Sequence, residues 1–128
     1  MQKDFDGWNK QKKSIDEYSH APLYHEREIR WCRLGTNIGF EQDGTGEGRA
    51  RPVLILKAFS RSVCLIIPLT TSTKKNPYYI AIGAVDERQA SVIISQLRLV
   101  DTKRLEQKIV SLDKKTFEVI RKAIKDML

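Results

Sequence analysis

The chain has 128 residues, 41% of them hydrophobic, and carries a formal charge of +7. This length fits one domain with one core, and no apolar run reaches the roughly 20 residues of a membrane helix. The charge fits an anionic partner, nucleic acid first, and fits equally a soluble basic protein with no such partner.

Residues 1–28 are polar, with Lys10, Lys12 and Lys13 clustered. Phe5, Trp8, Ile15 and Tyr18 fall near helical spacing, which predicts an amphipathic helix over 4–18, ended by Ala21-Pro22. We therefore expect residues 1–27 to be a helical extension and linker, and 28–128 to be the domain. The N-terminus has no apolar signal-peptide region, so a reducing cytoplasm is the expected location. His20 and His25 are the only histidines and both precede the core. Linker histidines are more often surface residues than catalysts, and a Ser–His–Asp triad has no support.

Residues 29–34 read as the first strand, followed by a loop over 35–50 that holds Gly39, Gly44, Gly46 and Gly48. Glycines without a phosphate-loop lysine do not make a nucleotide site. Two short apolar runs, Val53 to Leu56 and Val63 to Leu69, are rich in β-branched residues and read as buried strands over 51–59 and 63–69. Arg61-Ser62 forms the connection between them. A basic turn over 72–77 precedes a strand over 78–82, and a polar loop over 86–89 precedes one over 91–95, extended through Leu99. Asp101 caps a short helix over 102–105, and 108–110 reads as a last strand. Asp113 caps a helix over 114–127, with Phe117, Ile120, Ile124 and Met127 on one face. This order is that of a small, mostly β, barrel-like α+β domain.

Cys32 and Cys64 sit among apolar neighbours and read as buried thiols rather than a disulfide framework. No Cys/His cluster points to a metal, and no cofactor is expected. The chemistry-bearing candidates converge elsewhere. Arg51 stands immediately before an apolar strand, where an arginine is commonly a salt-bridged strand end but also holds a phosphate in a fixed fork. Thr70 and Thr71 close the next strand, as simple end residues or as ligands of a phosphate or ribose. Their alternation across the strand predicts that one hydroxyl faces the cleft. Gln96 and Arg98 leave the fifth strand, either as ordinary surface groups or as readers of bases. Arg49, Lys74, Lys75, Arg98, Lys103 and Arg104 are expected near one face.

Three stretches carry a resemblance. They are REIRWCRLGTNIGFEQ from Arg27, RPVLIL from Arg51 with IIPLTTS after it, and SQLRLVDTKRL from Ser95. In that order they are similar to the MazF/PemK family of toxin–antitoxin ribonucleases, over residues 28–128. The resemblance implies an SH3-like barrel, usually a homodimer, that inhibits growth by cleaving single-stranded RNA at short sequences without metal. It also implies an acidic cognate antitoxin. By matching position Arg51 is the essential arginine, Thr70 the essential threonine, and Glu41 and Gln42 belong to the substrate-binding loop. Arg49, Thr71, Ser72 and Gln96 are assigned to RNA contact. Two features depart from the family pattern: a longer loop between Gln42 and Arg51, and Ser95 and Ile93 where some members carry an acid and an arginine. Two rivals stay in view: a CcdB-like toxin, which shares the fold and acts on gyrase, and, because of Ser95 and Ile93, a nucleic-acid-binding module without catalysis.

Overall fold

A computed structural model describes residues 23–34 and 50–128. The helix expected over 4–18 and the loop residues Glu41, Gln42 and Arg49 lie outside the described residues. Among the described residues the chain forms β1 (Glu28–Arg33), β2 (Ala50–Ala58), β3 (Val63–Thr70), β4 (Tyr79–Val85), β5 (Arg88–Ile93), β6 (Arg98–Asp101), β7 (Leu105–Ser111) and α1 (Lys114–Met127).

The apolar runs explain the centre of the sheet. Val53, Leu54, Ile55 and Leu56 are all buried, which requires cover on both faces of β2. On one face Val53 and Ile55 pack with Cys32, Cys64, Ile66 and Val100. On the other, Leu54 and Leu56 pack with Ile29, Ile67 and Val92, and with Phe117 and Ile120 of α1. The second arrangement is what the spacing of Phe117 and Ile120 on α1 demands. Asp113 starts that helix by accepting from the backbone N–H of Thr116 at 2.9 Å and from its hydroxyl at 3.0 Å.

All pairings are antiparallel, in the order β4-β5-β3-β2-β1-β7, with β6 also on β3. β1 pairs with both β2 and β7, and the sheet curls into a half-barrel around the cysteines. Two free thiols inside that curl agree with the reading of Cys32 and Cys64.

The hairpin beyond β3 differs from expectation. β4 runs on to Val85, and the turn is only Asp86–Glu87, both with left-handed φ of 52° and 70°. The polar residues Arg88 and Gln89 are therefore strand, with Val85 paired to Arg88. They are exposed there, which is why they read as loop. Nor does the fifth strand run on through Leu99. Ile94–Gln96 forms a 3-10 turn. Val92 pairs with Leu69 and Arg98 with Ile66, so β5 and β6 follow the same edge of β3 with that turn inserted between them.

The described chain is tied down before β1 begins. Glu28 and Arg30 are both buried, and Arg30 Nε donates to Glu28 Oε1 at 2.8 Å. Glu28 Oε1 also accepts from the backbone N–H of His25 at 3.1 Å, and Arg30 donates to the carbonyls of Leu23 and Glu106. Each buried charge is thus met by a partner. Tyr24 adds a hydroxyl bond to the Ser60 carbonyl at 2.5 Å.

Candidate functional site

Arg51 is the second residue of β2, and its backbone pairs with Cys32. The β2–β3 register sets Val53 opposite Pro68. Carried two residues outward, it sets Arg51 level with Thr70, the last residue of β3. The guanidinium is oriented by Nη2, which donates to the Leu69 carbonyl at 3.0 Å. Thr70 is half-buried, and its Oγ1 accepts from the backbone N–H of Ser72 at 3.1 Å.

Arg51, Thr70 and Thr71 line one cavity of about 360 Å³. Thr70 closes β3, and Thr71 follows just beyond the strand. Trp31, Leu69, Val85 and Ile109 give the cavity an apolar lining, and the β4–β5 hairpin adds Asp86 and Arg88. The turn at Asp86 thereby brings a carboxylate to the same space as the Arg51 guanidinium.

A second cavity, of about 620 Å³, shares Thr71 and Ala90 with the first. Ser72, Lys74, Lys75, Asn76, Tyr79 and Gln89 are among its lining residues, and none of the lining residues is acidic. Together the two spaces join a guanidinium, hydroxyls and ammonium groups, a set suited to a phosphate chain with bases attached.

Other candidates stand apart. Gln96 lies in the 3-10 turn and lines neither cavity; its Oε1 is buried without a hydrogen-bond partner among the described residues. Arg98, Lys103 and Arg104 also line neither. Arg98 and Arg104 stand near Cys32, where burial pushes the thiol up to about 11 in spite of their charges. Burial, helped by Cys32 and Asp101, pushes Cys64 up to about 12. His25 meets Glu28 at 3.3 Å and lines neither cavity. Among the described residues no group of three His, Cys, Asp or Glu side chains is placed to hold a metal ion, and no helix is long and apolar enough to cross a membrane.

Trp31, Asp86, Arg88 and Ile109 escaped the sequence reading. Ile109 reaches the cavity through the pairing of β7 with β1, and the hairpin carries Asp86 and Arg88 there. The sequence carried no clear signal for the hairpin, since Asp86–Glu87 lacks the glycine or asparagine that marks a two-residue turn.

Residues 25–128 match the family model described as PemK-like, MazF-like toxin of type II toxin–antitoxin system. No curated protein matches the sequence. Among solved structures, MazF from Deinococcus radiodurans superposes with a TM-score of 0.65 at 18% identity, covering 84% of this chain and 96% of that one. An endoribonuclease in complex with its cognate antitoxin, from a mycobacterial species, gives 0.60 at 22% identity over 83% and 93%. The Mycobacterium tuberculosis toxin MazF-mt6 gives 0.61 at 20% identity over 78% and 94%. At these identities the structural likeness is one of fold.

Proposed function

The chain belongs to the PemK-like, MazF-like toxin family of type II toxin–antitoxin systems, and we propose that it is a sequence-specific endoribonuclease that cleaves single-stranded RNA and inhibits growth. The observation that carries this reading is the meeting of Arg51, Thr70 and Thr71 at one cavity, beside a second one lined by Lys74 and Lys75. A guanidinium and hydroxyls held at two strand ends can grip one phosphodiester while the lysines hold its neighbours.

The proposed step is a metal-independent transesterification. The ribose 2′-oxygen bonds to the adjacent phosphorus as the bond from phosphorus to the 5′-oxygen breaks. The products are a 2′,3′-cyclic phosphate and a 5′-hydroxyl, the leaving oxygen taking its proton from Arg51. Arg51 stabilises the charge that builds on the non-bridging oxygens. The Thr70 hydroxyl, already placed by Ser72, donates to the same phosphate. Glu41, in the stretch that precedes β2 in the sequence, is the carboxylate assigned to take the 2′-hydroxyl proton, on chemical grounds. Glu41, Gln42 and Arg49, with Thr71, Ser72 and Gln96, complete the RNA contacts in this reading. Single strands are the substrate because only unstacked bases offer their edges.

The proposed setting is a cytoplasmic homodimer held in check by an acidic antitoxin. Solved relatives in complex with a cognate antitoxin support that partner. The domain of this reading is 28–128, with 1–27 as an extension.

Incubation of the protein with a long single-stranded RNA in EDTA tests the reading. The expected result is defined fragments with cyclic phosphate and 5′-hydroxyl ends, and resistance when the residue at the cut is 2′-deoxy. Cutting at the deoxy residue overturns the mechanism. Intact RNA overturns the enzyme assignment and leaves the gyrase-directed or binding-only alternatives.

A further inference from the structure

The cavity at Arg51 contains more than a phosphate needs. Arg51, Thr70 and Thr71 suffice for the phosphodiester, yet Trp31, Leu69, Val85 and Ile109 give the same space an apolar lining. A nucleobase needs such a lining, because it presents an apolar face for stacking and a polar edge for hydrogen bonding. The volume of about 360 Å³ is on the scale of one nucleotide.

Asp86 supplies the one carboxylate among the residues lining this cavity. It occupies the tip of the β4–β5 hairpin, with φ 52°, and the flanking Val85 and Arg88 are paired across the turn. An aspartate tolerates this left-handed conformation, and the paired strands hold the tip in place. Arg88, on the next residue but one, brings a donor to the same cavity.

We infer that Asp86 is a specificity-determining residue that accepts hydrogen bonds from the Watson–Crick edge of the base next to the scissile phosphate, and that it selects guanine there. Guanine offers two adjacent donors, N1–H and N2–H, that meet both carboxylate oxygens, and its O6 accepts from a guanidinium such as that of Arg88. Cytosine and adenine each present one donor on that edge, and uracil presents one donor between two acceptors that repel a carboxylate. The inference rests on the ribonuclease reading above, and supplies the substrate base that reading lacks.

A turn role alone is met by asparagine as well as by aspartate, so Asp86→Asn separates the two roles. Wild type, Asp86→Asn and Asp86→Glu are each incubated with a pool of single-stranded RNA randomised around the cut, and the 5′-hydroxyl ends are sequenced. Wild type is expected to show guanine enriched at a position flanking the cut. Asp86→Asn is expected to lose that enrichment by about tenfold or more, the scale of a bidentate base contact, with an unchanged melting temperature, while Asp86→Glu keeps part of it. If Asp86→Asn cuts nothing, its binding of short RNAs carrying guanine or adenine is compared with that of wild type; lost discrimination supports the assignment and retained discrimination overturns it. Cleavage with the same guanine preference in Asp86→Asn, or no flanking guanine preference in wild type, overturns the inference alone. A wild-type protein that leaves the whole pool uncut overturns the ribonuclease reading together with it.

Discussion

Arg51→Ala should abolish RNA cleavage while leaving the fold standing. The two effects separate because of where the side chain sits. Arg51 belongs to neither apolar cluster, so its truncation opens no core cavity. The bond from its charged Nη2 to the Leu69 carbonyl, at 3.0 Å, is worth about 2 kcal/mol. That is a modest part of the roughly 5–15 kcal/mol of a typical domain. The transition state loses more. Removing one donor aimed at developing oxyanion charge costs about 3–4 kcal/mol, a fall of roughly 10²–10³ in rate. Arg51→Lys keeps the charge but not the fork that holds Leu69 and the phosphate together, and should recover only part of the loss. Single-turnover cleavage of a single-stranded RNA, alongside thermal denaturation, reads both quantities. A well-folded Arg51→Ala protein that cuts within a factor of a few of wild type would refute the assignment.

Three more outcomes follow from the same geometry. Thr70→Val should slow cleavage by about tenfold, near the worth of one hydrogen bond, and by more than Thr71→Val, because Thr70 alone is anchored by Ser72; the reverse order in a cleavage assay would move the phosphate to the neighbouring hydroxyl. Burial works to raise the Glu28 carboxyl, but Arg30 and the His25 backbone N–H hold it below the ordinary glutamate value. Its contribution to stability is therefore fully present above the unfolded value of about 4.3 and lost as pH falls through the folded one. Glu28→Gln should destabilise by about 3 kcal/mol at neutral pH and flatten the loss of urea resistance on acidification; parallel pH profiles in the two proteins would contradict this. The thiols of Cys32 and Cys64, pushed up to about 11 and about 12 by burial, should resist alkylation at pH 8 until urea is added; rapid native labelling, read by mass spectrometry, would show that the half-barrel opens.

The strands at the centre were legible in the chain because burial on both faces leaves a continuous β-branched run, as in Val53 to Leu56. The helix after Asp113 was legible from its cap and from the spacing of Phe117 and Ile120. The hairpin was not, because Asp86–Glu87 adopts left-handed angles without a glycine or asparagine to announce them. The 3-10 turn at Ile94–Gln96 was hidden for a different reason. Ile94 is buried and Ile93 is strand, so the apolar pattern runs straight through the break. For the site, Arg51 and Thr70 could be picked out because each stands at the polar end of an apolar strand. Trp31 and Ile109 could not, since each reads as an ordinary strand residue; Trp31 reaches the cavity beside its β2 partner Pro52, and Ile109 through the pairing of β7 with β1.

That pairing also bears on the order in which the domain can fold as it is synthesised. Ile29 lies between Leu54 on β2 and Val110 on β7, so β1 waits for a partner encoded near the far end of the described chain. A ribosome that has finished β3 has already made Arg51 and Thr70, but the wall supplied by the hairpin and by Ile109 has yet to emerge. The last contacts to form are those most distant in sequence, which are also the slowest to find. For a chain of a toxin family the consequence is that a truncated or stalled nascent polypeptide carries Arg51 and Thr70 without the cavity they line in the folded domain.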